Sequence, residues 1–461
     1  MFKRVLIANR GEIALRIIRA CKEMGIETVA VHSTEDADQI HVKLSDYSVC
    51  IGGPRSFESY LNMAAIVTVA LKSGCDALHP GYGFLSENPE FVRVLQDLDI
   101  KFIGPSADTI ASMGDKSVAR QLMIDNDVPV VPGSDGEVET LEEAELVCNQ
   151  IGYPVLIKAS RGGGGKGMRK VFAPEELENE FFAAKREAQA SFDDEGVYIE
   201  KLIINPKHIE VQILRDQFGN TIHLGERQCS VQRRNQKMIE EAPAKGVTEQ
   251  MRKQMGDAAI KAAEASNYEN AGTVEFILDE KDNFYFIEMN TRIQVEHPVT
   301  EMVTGVDLVK EQIRIASGLK LSKTQEEIQI DGHAIEVRVN GENPMMNFMP
   351  STGHIDFFFG PGGFNTRFDT YLYNGAKVSP HYDSMLGKII VKGETRLEAI
   401  RRMRRAIEET FISGIHTNLG YQYAILFTYD FIRGDYNTGF IEEHNEEIIE
   451  MINRIEDING R

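Results

Sequence analysis

Two glutamates in this sequence have the residue type and the spacing of metal ligands. Glu275 and Glu288 lie in runs rich in β-branched and aromatic residues, 272–278 and 284–289, and the intervening residues 279–283 have the composition of a hairpin turn. Because both glutamates are equally far from a turn midpoint placed between Lys281 and Asp282, a simple register sets them opposite each other, with Cβ atoms about 5 Å apart. Mg²⁺ prefers carboxylate oxygens and keeps positions open for phosphates, so the pair predicts a magnesium site. The alternative is an exposed cross-strand pair relieved by a turn lysine, since a bulge would shift the register.

A glycine-rich loop follows another predicted strand. Residues 154–159 form an apolar run, and the loop 161–168 after it contains five glycines. Backbone without Cβ atoms can approach a phosphate closely, and Arg161 and Lys166 add positive charge. The residues after Met168 are extended rather than helical in pattern, so the unit does not match a Walker A loop. The pattern predicts a strand–loop–strand flap over phosphates; a flexible hairpin tip is the alternative.

A row of polar residues continues from the second glutamate. Every second residue is polar, and the row consists of Glu288, Asn290, Arg292, Gln294 and Glu296. An extended chain puts such residues on one face, and at about 3.3 Å per residue the row would span roughly 26 Å. The pattern predicts a path from a metal at one end to a second substrate at the other. An amphipathic edge strand facing water is the alternative.

The elements that position these groups can be predicted from hydrophobic patterning. A strand at 5–8, a helix at 13–24 ended by Gly25 and a second strand at 28–32 form a βαβ unit. The first hundred residues therefore predict a doubly wound parallel sheet, although the first turn lacks the GxGxxG motif of dinucleotide sites. A further helix is predicted from about residue 116 to 125, followed by a proline-rich break that suits a domain boundary.

Composition excludes several classes of protein. The 461 residues include 71 acidic and 50 basic side chains, and the net charge of −21 argues against a nucleic-acid partner. The five cysteines form no CxxC pair, which favours a reducing compartment. No signal-peptide pattern and no run of 18 apolar residues occurs, so we expect a cytoplasmic protein that does not span a membrane.

Taken together, these motifs resemble the ATP-grasp ligases, and within them the biotin carboxylases. The resemblance covers nearly the whole chain, and the segments that carry it are Lys116, Lys158, the GGGGKG loop, Glu275, 288–298, 10–14, 79–83 and 336–340. It implies an α/β and α+β ATP-grasp fold with an N-terminal doubly wound domain, a mobile glycine-rich lid and a large C-terminal domain. The implied regions are an N-terminal Rossmann-like domain (1–114), an ATP-grasp region with linker and lid (115–203), a catalytic domain (204–332), a C-terminal domain (333–446) and an acidic tail (447–461).

The resemblance also implies a reaction. ATP would phosphorylate bicarbonate to carboxyphosphate, which breaks down to CO₂ and phosphate, and a ureido nitrogen of biotin would capture the CO₂. The implied ligands of Mg²⁺ or Mn²⁺ are Glu275, Glu288 and Asn290. The implied residues for bicarbonate and biotin are Lys237, Arg292, Gln294, Val295, Arg338 and Tyr82. Glu296 would take the proton of bicarbonate, and Arg338 would stabilise the enolate-like oxygen of deprotonated biotin.

Nucleotide contacts are implied at several further positions. These are Lys116, Lys158, Gly164, Gly165, Glu200, Lys201, Leu202, Ile203, His208, Gln232 and Asn235. Asn235 stands where the family often has histidine, and asparagine cannot become protonated at that position. A histidine on a strand, like His208, is by itself more often an ordinary hydrogen-bonded residue. For Tyr82 the alternative to a place beside biotin is a packed turn residue.

The biotin itself is expected on another polypeptide. The chain contains no Met-Lys-Met tripeptide, which is the setting of a biotinyl lysine, so the resemblance implies a separate biotin carboxyl carrier protein and a separate carboxyltransferase. The parent complex would be an acetyl-CoA carboxylase, or alternatively a two-subunit pyruvate carboxylase, and a homodimer is expected from the family. Another ATP-grasp ligase with a different acceptor and a non-catalytic ATP-binding module are the other readings.

Overall fold

The computed structural model describes residues 1–160 and 168–459. Most of the predicted glycine-rich flap, including Gly164 and Gly165, lies outside the described residues. The flanking segments are extended, as predicted: Val155–Ala159 precedes the loop, and Met168–Val171 pairs with it in an antiparallel ladder.

The N-terminal part is a five-stranded parallel sheet, which confirms the prediction from the βαβ pattern. Its strands, in the order β3-β2-β1-β4-β5, are β1 (Arg4–Ile7), β2 (Glu27–Ser33), β3 (Tyr47–Gly52), β4 (Ala77–His79) and β5 (Lys101–Phe102). The helices are α1 (Gly11–Glu23), α2 (Ile40–Leu44), α3 (Met63–Lys72), α4 (Pro89–Asp97) and α5 (Ala107–Gly114), with a 3₁₀ turn at Ser56–Glu58. Val5, Leu6 and Ile7 are fully buried, as expected for a strand covered on both faces. Gly25, with φ of +72°, follows the end of α1.

A three-stranded antiparallel sheet of order β7-β6-β8 comes next. Its strands are β6 (Val155–Ala159), β7 (Met168–Val171) and β8 (Val197–Lys201), and the helices are α6 (Lys116–Asp125), α7 (Leu141–Ile151) and α8 (Pro174–Phe192). Helix α6 has the predicted bounds. It begins at Lys116 because the carboxylate of Asp115 accepts hydrogen bonds from the backbone N–H groups of Ser117 and Val118.

The rest of the chain is built around one large sheet. The elements that enter it first are β9 (Lys207–Arg215), β10 (Thr221–Arg233), β11 (Gln236–Ala242), β12 (Asn270–Leu278) and β13 (Phe284–Asn290), with α9 (Glu249–Ala265), α10 (His297–Thr304) and α11 (Leu308–Ala316). The C-terminal strands are β14 (His333–Asn340), β15 (Glu342–Asn343), β16 (Met349–Pro350), β17 (Gly353–His354), β18 (Phe357–Phe359), β19 (Thr366–Thr370), β20 (Lys377–Val378), β21 (Met385–Gly393) and β22 (Phe411–Ser413). The C-terminal helices are α12 (Arg396–Glu408), α13 (Leu419–Ile425), α14 (Tyr429–Arg433) and α15 (Phe440–Asn459), with 3₁₀ turns at Gln325–Glu327 and Pro344–Met346.

The large sheet has eight strands in the order β13-β12-β9-β10-β11-β14-β21-β19, and every neighbouring pair is antiparallel. A shared core joins it to the N-terminal part: Ile13 and Ile17 of α1 pack in one cluster with Leu308 and Ile313 of α11. Helix α1 also contacts β19 and β21, so the start of α1 lies close to the large sheet. Within the parts of the chain that the structure describes, no helix is long and apolar enough to cross a membrane.

Candidate active site

Charged side chains form a row across four strands of the large sheet. In the ladders, Glu288 of β13 pairs with Glu275 of β12, Glu275 with Glu210 of β9, and Glu210 with Arg227 of β10. Residues paired directly across antiparallel strands lie on the same face of a sheet, so the four side chains share one face. The predicted facing of Glu275 and Glu288 is confirmed.

The register that brings the two glutamates together is not the simple one. Nearer the turn, Phe276 pairs with Phe286, and the next pair is Glu275 with Glu288. Ile287 is therefore an extra residue on β13, a β-bulge. Continuing the ladder from the turn without that bulge would set Glu275 against Ile287. The predicted contact is correct, but the symmetric turn assumed for it is wrong.

The paired glutamates have unequal surroundings. Burial opposes the ionisation of Glu275, but Lys237 and His208 hold its pKa well below the ordinary value. Burial and the charge of Glu275 raise the pKa of Glu288, while the charge of Lys116 lowers it. Glu288 thus lies beside a like charge that a cation would offset.

The oxygens at this position fit a hard divalent cation. Two carboxylates and the amide oxygen of Asn290 make an all-oxygen donor set, which suits Mg²⁺. Asn290 is buried, and its amide nitrogen donates to Glu275 Oε1 at 2.8 Å, while Arg292 donates to its Oδ1 at 3.1 Å. His208 Nε2 lies 2.9 Å from Glu275 Oε2. The predicted ligands are therefore adjacent to one another.

Lys237 lies at the centre of the site. Its Nζ is 2.6 Å from Glu210 Oε2, 3.1 Å from Glu275 Oε1 and 2.7 Å from Glu296 Oε1. Burial disfavours its charge, but these three carboxylates raise the pKa of Lys237 well above the ordinary value. The ammonium group therefore stays charged and links Glu275 to Glu296.

Glu296 is an ionised carboxylate with two cationic partners. Its Oε1 accepts from Lys237, and its Oε2 accepts from the guanidinium of Arg338 at 2.9 Å. Although Glu296 is buried, Lys237, Arg338 and Arg227 lower its pKa far below the ordinary value. Arg338 is itself fixed by Glu240, whose Oε1 accepts from its Nε at 2.6 Å.

The prediction of one extended polar row from 288 to 296 is wrong. Strand β13 ends at Asn290, the chain then bends, and Glu296 is the residue that precedes helix α10. Directly after the strand, Glu87 of the N-terminal region accepts hydrogen bonds from Thr291 N at 3.3 Å and Arg292 Nε at 3.1 Å, in place of a ladder partner. Glu296 and Glu275 therefore share Lys237 instead of lying far apart.

The remaining residues of that row surround the same centre. Gln294 donates to Glu275 Oε1 at 2.7 Å and accepts from Arg227 at 2.8 Å. The backbone carbonyl of Val295 accepts from Lys388 Nζ, and the Tyr82 hydroxyl donates to the carboxylate of Glu12. The other predicted substrate residues have side chains in the charged network around Glu275 and Glu296, whereas Val295 and Tyr82 contact the neighbouring pair Lys388 and Glu12.

Predicted nucleotide residues are distributed over several elements. Lys158 Nζ on β6 lies 2.5 Å from Glu200 Oε2 on β8. Lys201 ends β8 and donates to the carbonyls of Gly152 and Tyr153, at 3.0 and 2.8 Å, so its ammonium is directed to the loop that precedes β6. Leu202 and Ile203 follow the strand.

The segment around Asn235 is a tight hairpin turn. Gln232 pairs with Lys237 at the base of the turn, and Arg234 and Asn235 have φ of 51° and 63°. Two consecutive positive φ values define a type I′ turn, in which asparagine is favoured. This conformation gives a structural reason for asparagine at position 235, and the side chain is exposed there.

Sequence reasoning did not identify Glu87, Glu210, Arg227, Glu240 and Lys388 as functional candidates. Arg227 is fully buried and donates to side chains on three other elements, among them Gln212 at 2.8 Å and Thr300 at 2.9 Å. The alternation of polar and apolar residues at 208–212 was a signal for Glu210, because it places that side chain on one face with its polar neighbours. The other four gave no periodic signal.

Comparison with known proteins identifies the family. The profile of the biotin carboxylase N-terminal domain matches residues 1–110, that of the carbamoyl-phosphate synthase L chain ATP-binding domain matches 115–324, and that of the biotin carboxylase C-terminal domain matches 336–443. Biotin carboxylase 1 of Bacillus subtilis (strain 168) is 54% identical over 446 residues, which are 96% of this chain and 99% of that protein. A pyruvate carboxylase subunit of Methanothermobacter thermautotrophicus is 50% identical over 448 residues, 97% of this chain and 91% of the relative.

A solved structure agrees with these matches. The biotin carboxylase domain dimer of Hydrogenobacter thermophilus 2-oxoglutarate carboxylase, in complex with MgADP, ADP and bicarbonate, has a TM-score of 0.92 and 49% identity, covering 97% of this chain and 99% of that one. The fold and the carboxylate-rich site define an ATP-grasp ligase. The chain belongs to the biotin carboxylases, the ATP-dependent ligases of that class. The fold class and the family predicted from the motifs are confirmed.

Proposed function

We propose that this chain carboxylates biotin held by a separate carrier protein, using ATP and bicarbonate and forming carboxyphosphate on the way. The observation that carries the proposal is the position of Lys237, whose ammonium contacts both Glu275, on the metal-binding face, and Glu296, the ionised acid. Phosphoryl transfer beside Glu275 and removal of the bicarbonate proton by Glu296 would then occur on two sides of the Lys237 ammonium group.

Glu296 is the proposed base. An oxygen of bicarbonate attacks the γ-phosphorus of ATP, the bond from that phosphorus to the β,γ-bridging oxygen breaks, and the proton of bicarbonate passes to the carboxylate of Glu296. Arg292, Gln294, the Val295 backbone and Lys237 are proposed to bind bicarbonate. Its lowered pKa keeps Glu296 ionised before substrate binds, and the carboxylate becomes a stronger base when Lys237 and Arg338 turn to the substrates.

Arg338 is proposed to act in the second step. Carboxyphosphate breaks down to CO₂ and phosphate, the released phosphate takes the N1′ proton of biotin, and that nitrogen forms the new bond to CO₂. A guanidinium held by Glu240 and Glu296 is already oriented, so it can meet the negative charge on the ureido oxygen without reorganisation. Tyr82 is proposed to line the biotin side.

Glu275, Glu288 and Asn290 are the proposed ligands of Mg²⁺, with Mn²⁺ as a substitute. The metal would supply neutralisation of charge between the β- and γ-phosphates of ATP. The facing pair of like charges supports this assignment. The proposed nucleotide contacts are Lys116, Lys158, Gly164, Gly165, Glu200, Lys201, Leu202, Ile203, His208, Gln232 and Asn235.

The proposed partners are a biotin carboxyl carrier protein and a carboxyltransferase on separate chains, with a homodimer as the proposed assembly. The relative from Hydrogenobacter, described as a dimer, supports that assembly. We place the activity in the cytoplasm, in an acetyl-CoA carboxylase; the pyruvate carboxylase name of the Methanothermobacter relative supports the alternative parent complex.

The half-reaction is tested by measuring phosphate release from Mg·ATP with and without bicarbonate and with and without free biotin. In the same reactions, labelled bicarbonate is followed into carboxybiotin. The expected result is release that needs bicarbonate and rises with biotin, with label in carboxybiotin. ATP cleavage indifferent to both would overturn the proposal and favour another acceptor. Glu280→Gln, in the exposed β12–β13 turn, is the matched control and should behave as wild type.

Carrier preference tests the parent complex. Each biotinylated carrier protein encoded by the same genome is supplied as substrate, and kcat/KM is compared among them. Preference for the carrier that also serves acetyl-CoA carboxylation supports the proposed complex. Preference for the carrier domain of a pyruvate carboxylase supports the alternative.

A further inference from the structure

The carbonyl of Val295 is held by a buried lysine. Lys388 of β21 is fully buried, and its Nζ donates a hydrogen bond to Val295 O. Burying an ammonium group is costly unless its charge is paired and its donors are satisfied. A lysine in such a place therefore has partners that define its position closely.

The second partner of Lys388 comes from the N-terminal region. Its Nζ lies 3.2 Å from Glu12 Oε1, on the first turn of α1, and 5.9 Å from the centre of the Tyr82 ring. The Tyr82 hydroxyl also donates to Glu12. One ammonium group thus connects three segments that are far apart in the sequence.

Lys388 also faces Arg338. The two residues pair directly in the β14–β21 ladder, so their side chains lie on the same face of the sheet. Arg338 binds the carboxylate of Glu296, and Lys388 binds the carbonyl of the preceding residue, Val295. Two neighbouring cations therefore hold two consecutive residues at the bend before α10.

We propose that Lys388 is a positioning residue that fixes the Val295–Glu296 bend for bicarbonate binding and links it to Glu12 and Tyr82. The inference rests on the proposed function, in which the Val295 backbone and Glu296 meet bicarbonate. The bend leaves the sheet at Asn290 and is held by side-chain contacts instead of a strand ladder, and Lys388 is the side chain that contacts the Val295 carbonyl.

Lys388→Met tests this role, because methionine keeps the length of the side chain and removes the donor. We expect the KM for bicarbonate to rise on the order of tenfold or more, while the dissociation constant of Mg·ATP changes less than twofold. Lys392→Met is the matched control on the same strand, where the lysine pairs at 2.6 Å with the exposed Asp331, and it should leave both constants unchanged. An unchanged KM for bicarbonate in Lys388→Met would overturn the inference.

A second variant separates positioning from stability. Lys388→Met leaves Glu12 as a buried acid without its cation, so the single variant can lose stability for that reason alone. The double variant Lys388→Met/Glu12→Gln removes both charges and should recover most of the lost melting temperature, while its KM for bicarbonate stays raised. Recovery of KM together with stability would show that Lys388 only balances the charge of Glu12, and would overturn the inference.

The two proposals fail in different ways. If the wild-type chain cleaves ATP without any need for bicarbonate, the proposed function fails, whatever the variants do. If the wild type needs bicarbonate but Lys388→Met has the same KM for bicarbonate as the wild type, only the role of Lys388 fails.

Discussion

Replacing Glu296 by glutamine removes the proposed base and leaves the size of the side chain unchanged. The carboxylate accepts from Lys237 at 2.7 Å and from Arg338 at 2.9 Å, and an amide can accept only one of these bonds, because its NH₂ group would face the other cation. An amide also cannot take the proton of bicarbonate. General-base catalysis contributes about 10²- to 10⁴-fold, so we expect kcat/KM for bicarbonate to fall about 10³-fold, which corresponds to about 4 kcal/mol.

The fold and the nucleotide site should tolerate this change. Lys237 keeps Glu210 at 2.6 Å and Glu275 at 3.1 Å, so its charge remains paired. The assay is bicarbonate-dependent phosphate release, with Mg·ATP affinity measured calorimetrically on the same preparation and Glu280→Gln carried alongside. Turnover within threefold of wild type would remove Glu296 as the base. A loss of activity that tracks a loss of Mg·ATP affinity would assign it to binding instead.

Three further predictions concern other parts of the chain. Arg338→Ala should reduce carboxybiotin formation more than ATP cleavage, because the guanidinium meets charge on biotin; equal losses in the two rates, measured on one sample, would contradict that role. Glu241→Gln should destabilise the fold by about 3 kcal/mol at pH 7, since Arg396 and His333 lower the pKa of this buried carboxyl to about 2. That contribution is complete above the unfolded-state pKa near 4.5 and is lost as the pH falls toward 2, so urea titrations should show the two proteins converging in acid, and a constant difference between them would refute the assignment. Asn235→Ala should cost about 1 kcal/mol through its positive φ, whereas Asn235→Gly should be nearly neutral in the same titrations; equal costs would assign the effect to a lost side-chain contact.

Local pattern predicted the elements and the pairing of Glu275 with Glu288 well. The strand before α1 and the bounds of α6 follow from features within a few residues, such as apolar runs and helical periodicity, whereas the facing of Glu275 and Glu288 also depends on a bulge. The bulge at Ile287 has no sequence signal of its own. The predicted pairing is correct because the bulge shifts the ladder by one residue. That shift restores the alignment that the misplaced turn midpoint had implied.

Contacts between residues far apart in the sequence could not be predicted from local patterns. Alternating polar residues from 288 to 296 look the same whether the chain stays extended or bends, and the bend depends on Glu87, which is remote in sequence. Lys388 and Arg227 are charged residues, for which a surface position is the usual expectation. Their burial becomes intelligible only when partners from other elements are known.

Glu296 and Glu288, at the two ends of the site, differ in how well neighbouring cations neutralise their charge. Glu296 has Lys237 and Arg338 at hydrogen-bond distance, so it is ionised without any ligand and can accept a proton at once. Glu288 lies beside Glu275. Burial and the negative charge of Glu275 raise the pKa of Glu288, so a bound cation would stabilise its ionised form. Because Lys237 pairs with both Glu275 and Glu296, the proposed metal binding at one end and the proposed proton transfer at the other would act on the same ammonium group. A cation that draws Glu275 away from Lys237 would leave that ammonium freer to bind the anion that Glu296 is proposed to deprotonate, so we expect loading of Mg·ATP to favour binding of bicarbonate.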